Sequence, residues 1–288
     1  MAVSFSLSIA SYSFHRLLES GQQDMAAYIA ECKRLGATHL DPWNAHLAPL
    51  TARDAAIRSA GEPVGELSPE EKAYLVEMKA QADAAGLPFG CVAVDGAHIY
   101  EADEHARRVN RGIAQRWLEA ARLLGAQQVR IDAGGQGDTW PDDVFGIVTA
   151  GYQELIARAR GMGLEILMEN HWGPSHVPEN VVRIMEAVPG LGLLFDTHNF
   201  SDQEKGWRLC TRYARSVHVK SFRFDENGND PSVDLPRVIR LLVKGGSHHP
   251  GYAGVWGVES VPTDGDELGA AAKTLDLIRR VLSESGGA

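Results

Sequence analysis

Trp117-Leu118-Glu119-Ala120-Ala121-Arg122-Leu123-Leu124-Gly125-Ala126-Gln127-Gln128-Val129-Arg130-Ile131 is the phrase that decides the fold. Residues 117–124 carry apolar side chains at helical spacing. Gly125 follows, and a helix that ends in the left-handed region favours a residue without a Cβ. Residues 126–131 then read as a short apolar strand. The same phrase recurs as 28–35, Gly36 and 37–40, and as 75–85, Gly86 and 87–94. It returns as 155–160, Gly161, Gly163 and 164–168, and as 181–188, Gly190, Gly192 and 193–195. Strands at 5–9, 216–219 and 255–258 bring the total to eight, and 271–282 supplies a last helix.

Helices alternating with strands imply a parallel sheet with right-handed crossovers. Eight units over the chain come to about 36 residues each, which suits a single α/β domain, a closed (β/α)8 TIM barrel over residues 1–288. A doubly wound open sheet is the alternative, but no G-x-G-x-x-G or G-x-x-x-x-G-K follows any strand. Two connections exceed what such units need, at about 44–67 and 223–254. Pro49, Gly61, Pro63 and Gly65 mark the first as a loop. It follows a strand's C-terminal end, so it suits a lid or an oligomer contact.

Composition excludes several classes. With 44% hydrophobic and 23% charged residues the chain is neither disordered nor low-complexity. A net charge of −10 argues against nucleic-acid and anionic-membrane partners. Cys32, Cys91 and Cys210 are odd in number and widely spaced, so they read as reduced thiols. No segment has the apolar length of a membrane span, and the first 14 residues lack a basic start and alternate with serine like a strand. A cytoplasmic location is the expectation.

Chemistry gathers at the C-terminal ends of the predicted strands. Strand five ends in Glu169-Asn170-His171 and strand six in Asp196-Thr197-His198-Asn199. Strand seven carries His218 and Lys220, and strand eight ends in Glu259-Ser260. Asp41, Asn44 and His46 follow strand two, Asp95 and His98 strand three, and Arg130 with Asp132 closes strand four. Charged groups at the end of an apolar strand are costly unless they are paired, metal-bound or part of a solvated site. One such residue is ordinarily a structural ion pair; four consecutive strands ending this way point to a site. Glu169, Asp196, His218 and Glu259 form an oxygen and nitrogen ligand set for one divalent ion of the Mn, Co, Mg or Zn kind, manganese first. Such an ion polarises a carbonyl and stabilises the enediolate formed when the neighbouring carbon loses its proton.

These motifs resemble the xylose isomerase-like TIM-barrel superfamily, in particular its sugar phosphate isomerase/epimerase group. The resemblance rests on Glu169-Asn170-His171, Asp196-Thr197-His198-Asn199-Phe200, His218-Val219-Lys220-Ser221 and Gly257-Val258-Glu259-Ser260, and it runs from the opening strand to the last. It implies that Glu169, Asp196, His218 and Glu259 hold the metal, and that Glu169 and Glu259 are also the proton-transfer pair, as in ketose 3-epimerases. It departs from the three-zinc nuclease endonuclease IV, where a His stands at the position of Asn199 and an Asp-x-His follows strand seven. It departs from true xylose isomerases, where a Lys stands at the position of His171. Ketose 3-epimerases also use a His at the position of Asn199.

The leading expectation is therefore a metal-dependent isomerase or epimerase of a sugar or keto-sugar. The alternative is a lyase or dehydratase performing β-elimination on an inosose or a 3-keto-glycoside, and a second alternative is a non-catalytic sugar-binding barrel. His171 is a candidate acid or base, and Trp43, Asn44, His46, Arg130, His198 and Lys220 are candidate substrate contacts. A homo-oligomer is the expected assembly, with a small partner subunit as a further option. Gly134-Gly135-Gln136-Gly137 offers a weak phosphate nest, and His248-His249 reads as a surface turn.

Overall fold

The computed structural model describes residues 5–61, 63–246 and 250–286; His248 and His249 lie outside them. Within these residues eight parallel strands form one sheet: β1 Leu7–Ala10, β2 His39–Asp41, β3 Cys91–Val94, β4 Gln128–Ile131, β5 Glu165–Glu169, β6 Gly192–Asp196, β7 Ala214–Ser221 and β8 Trp256–Ser260. Their order is β2-β1-β8-β7-β6-β5-β4-β3. Between β2 and β3 the ring closes through isolated bridges, Leu40 with Phe89 and Trp43 with Ala93. This is the expected barrel. Around it run α1 His15–Glu19, α2 Met25–Leu35, α3 Ala48–Ala60, α4 Pro69–Ala85, α5 Glu104–Leu124, α6 Asp142–Arg160, α7 Pro178–Ala187, α8 Gln203–Cys210, α9 Leu235–Lys244 and α10 Glu267–Ser285.

At three of its five occurrences the helix–glycine–strand phrase works as its chemistry requires, whereas α6 ends at Gly161 with φ −70° and α7 at Val188, the left-handed Gly163 and Gly190 following in the turn. Gly36, Gly86 and Gly125 cap α2, α4 and α5 at φ of 76°, 71° and 71°, and the following chain turns directly into a strand. The expected loop at 44–67 is instead largely helical. Pro49 lies in the first turn of α3 and Gly61 caps its end at φ 65°, so residues that read as breakers mark the two ends of a helix. Within 223–254, residues 223–234 form a long irregular run before α9.

Strand alternation sorts the barrel into two regions. Val92, Val94, Val129, Ile131, Ile166, Met168, Leu193, Phe195, Val217, Val219 and Val258 face outward and join the main core with the helices. The intervening residues face inward, where Cys91, Leu167 and Leu194 form a small separate apolar cluster. Two residues further along β5 and β6, the same inward face presents Glu169 and Asp196. The interior is apolar in the middle and ionic at the C-terminal end.

Packing at the β2–β3 seam is unusual because a side chain replaces part of the ladder. The Asp41 carboxylate accepts the Cys91 N–H at 2.9 Å and a short hydrogen bond from the Ser8 hydroxyl. Gly90 makes the room: a Cβ there would lie 2.6 Å from Asp41 Oδ1. Among the described residues no helix is long and apolar enough to cross a membrane.

Candidate active site

At the C-terminal end of the barrel a pocket of about 110 Å³ is lined by Tyr12, Asp41, Trp43, Asp95, Arg130, Glu169, His171, His218, Lys220 and Glu259 among others. Roomier hollows of about 500 and 550 Å³ lie among the outer helices and loops and hold none of the strand-end groups.

Glu169, His218 and Glu259 converge: each offers a ligand atom, and these atoms lie within 4.8 Å of one another. All three are buried. His218 Nδ1 is 2.9 Å from Glu259 Oε2, which leaves Nε2 buried and without a hydrogen-bond partner. Asp196 lies beside this group rather than within the 4.8 Å cluster. Its Oδ1 accepts the His198 and Asn199 amides at 2.7 and 2.8 Å. Its Oδ2 is buried with no hydrogen bond, 3.7 Å from Lys220 Nζ. A buried imidazole nitrogen and a buried carboxylate oxygen without partners are costly arrangements. They fit a divalent ion held by an oxygen and nitrogen donor set.

Cations surround the carboxylates unevenly. Arg130 Nε is 3.1 Å from Glu169, and its Nη1 reaches Asp95 at 2.7 Å and Asp132 at 3.0 Å. Asn199 donates to the other Glu169 oxygen at 3.3 Å. Burial raises the Glu169 pKa against the opposing pull of His171 and Arg130. Burial also acts on Glu259, but Lys220 at 2.6 Å and the His218 hydrogen bond override it and hold that carboxyl well below the usual range. The two carboxylates thus differ in basicity through their neighbours. His171 Nδ1 is 3.1 Å from Asp132, whose same oxygen accepts the Trp172 indole at 3.2 Å. Burial disfavours the imidazolium, yet Glu169 and Asp132 outweigh it and raise His171 to about 9.

Some expected contacts lie elsewhere. His46 is only 1% exposed, with Nδ1 3.0 Å from Ser11 and Nε2 3.1 Å from Gln23, so both nitrogens serve the fold and neither faces substrate. Asn44 is buried too, and its amide clasps the Asp95 backbone at 3.1 and 3.2 Å. The His198 ring stands edge-on to Phe222, outside the pocket lining. Trp43 does line the pocket; its indole donates to Asp95 at 2.8 Å and its ring meets Tyr12 edge-on. Gly134 and Gly135 are tied to packing, since a Cβ on Gly134 would lie 2.2 Å from the Tyr100 carbonyl and one on Gly135 2.9 Å from Trp140 Nε1; Gly137 has open space around it. Three contributors had weak signals. Tyr12 is not among the expected site residues, and Asp132 and Asn199 stand at strand ends without an expected role in the site.

The family model described as xylose isomerase-like TIM barrel matches residues 29–281, and the chain belongs to that family. A C-glycoside deglycosidase alpha subunit from Arthrobacter globiformis is 33% identical over 100 residues, covering 34% of this chain and 28% of that protein. The chain therefore matches about a quarter of that curated relative's length. Among solved structures, an L-ribulose 3-epimerase superposes with a TM-score of 0.70 at 15% identity, covering 98% of this chain and 96% of the other. A xylose isomerase-like TIM-barrel protein from Mycobacterium smegmatis, in complex with magnesium, gives 0.69 at 17% identity with 98% of each chain covered. At these identities the superpositions establish the fold.

Proposed function

We propose that this protein is a divalent-metal-dependent enzyme that removes a proton from the carbon beside the carbonyl of a sugar or keto-sugar and returns it, as an isomerase or epimerase. The observation that carries this reading is the convergence of Glu169, His218 and Glu259 around a His218 Nε2 without a hydrogen bond, with Asp196 Oδ2, also without a hydrogen bond, beside them. Glu169, Asp196, His218 and Glu259 are the residues that would hold the ion, which supplies Lewis-acid polarisation of the carbonyl when bound.

The protein's own groups divide the remaining work. Glu169, made more basic by burial and held through both oxygens by Arg130 and Asn199, takes the proton from carbon. Glu259 is the second member of the proton-transfer pair, oriented by His218. Trp43 and Tyr12 form an aromatic wall suited to a sugar face. Arg130 is tied to three carboxylates, so its role is to position Glu169.

A second reading, β-elimination from a keto-sugar or 3-keto-glycoside, is supported by the relation to the deglycosidase subunit and by His171. An imidazolium held beside Glu169 by Asp132 can protonate a leaving group. Both readings share the first proton abstraction and part at its fate. Chelator-stripped protein is reloaded with Mn, Co, Mg or Zn and assayed with ketoses and 3-keto-glycosides in deuterated water, beside Glu169→Gln and His218→Ala. Stoichiometric metal in the parent, its loss in His218→Ala, and at least a 100-fold fall in turnover for Glu169→Gln are expected. Deuterium in an epimerised product supports the first reading, and release of a leaving group or water the second. A parent without stoichiometric metal, or variants as active as the parent, would overturn both.

A further inference from the structure

The pocket holds one cation on a flexible stem. Arg130 is fixed by its three carboxylates, whereas Lys220 is the cation that reaches Glu259 at 2.6 Å and Asp196 at 3.7 Å. Strand geometry puts it there. Lys220 lies two residues after His218 on the inward face of β7 and pairs across the ladder with Glu259, while His218 pairs with Asp196. Its backbone N–H donates to Thr197 Oγ1 at 2.9 Å, which fixes the base of the side chain. The stem itself is four rotatable methylenes. The ammonium is consequently tethered, at high effective concentration, to two of the four side chains that the proposed function assigns to the metal.

We infer that Lys220 is a displaceable counter-ion for the metal site: it neutralises Glu259 and Asp196 in the metal-free protein, and it withdraws toward the pocket when the divalent ion binds. An ammonium and a divalent cation cannot share the same carboxylate oxygens, because like charges a few ångströms apart in a buried site repel strongly. Without a cation, two buried carboxylates on the strands that flank β7 would stand unneutralised, which is destabilising. Lys220 therefore keeps the empty barrel folded and, by the same contacts, weakens metal binding and keeps the ion exchangeable. This inference rests on the metal reading above, and its test separates the two.

The test is titration of the chelator-stripped full chain with manganese(II) alone, by calorimetry and by melting temperature, for the parent, Lys220→Met and Lys220→Arg. Lys220→Met is expected to bind manganese at least tenfold more tightly than the parent. Its metal-free form should melt lower and gain more from added manganese than the parent does. Lys220→Arg, which keeps the charge, should bind no more tightly than the parent. If Lys220→Met does not fold alone, recovery of a cooperative melt on adding manganese supports the inference, and failure to recover overturns it. A parent that binds manganese beside a Lys220→Met that binds no better sinks this inference alone, as does a Lys220→Arg as tight as the Met variant. If neither parent nor Lys220→Met binds, the metal reading falls with it.

Discussion

His46 shows how a polar residue near a site can serve the fold instead. Its ring lies among Ser11, Gln23 and Tyr28, and burial lowers its pKa from 6.5 to about 4. The unfolded chain therefore binds a proton between those two values that the folded chain does not. The contribution to stability is complete above the unfolded value and is lost as pH falls through the window, by up to about 3 kcal/mol. Urea unfolding of the parent and of His46→Gln between pH 7 and 4.5 should show the parent losing stability more steeply on acidification. Equal slopes would assign the acid limb to other groups. Glu169, His218 and Glu259 were legible because an ionisable residue ending an apolar strand has few inexpensive places to go. Asn44 and His46 were not, because the neighbours that bind them, Asp95 and Gln23, lie about 50 and 20 residues away in sequence.

Elements follow the same logic one level up. The helix–glycine–strand phrase could be read directly because one φ requirement recurs with one residue type. α3 could not, since Pro and Gly mark both helix ends and loops, and only tertiary packing decides between them. That packing includes the Trp117 indole donating to Asp54 of α3 at 2.7 Å and Arg58 reaching the Gly96 carbonyl. On β8, Gly257 does spatial work: a Cβ would lie 2.8 Å from the Val217 carbonyl and 2.9 Å from His218 Cδ2. Gly257→Ala should displace the imidazole as well as crowd the ladder. The expected outcome is a loss of about 1–3 kcal/mol in chemical unfolding together with weaker manganese binding. Unchanged stability with unchanged binding would show that the strand shifts freely there.

At the scale of the whole molecule, one ring sets function and weakness together. Its acidic surplus is partly spent indoors, where Glu169, Asp196 and Glu259 meet at one end of the barrel. The barrel was legible because repetition multiplies a weak local signal five times, with three further strands completing the series. The partners of each strand end were not, since they depend on strands far apart in sequence. The closure between β2 and β3 carries a further consequence. Where other neighbours share strand ladders, this joint relies on two isolated bridges and the Asp41 carboxylate. A ring whose joints differ in strength exchanges its amide hydrogens unevenly, the weakest joint first. Deuterium uptake should therefore reach residues 39–43 and 89–93 well before β6 and β7. Because Asp41 and Trp43 also line the pocket, the barrel would breathe on the side opposite the proposed metal ligands, so that substrate-side motion leaves Asp196, His218 and Glu259 in register.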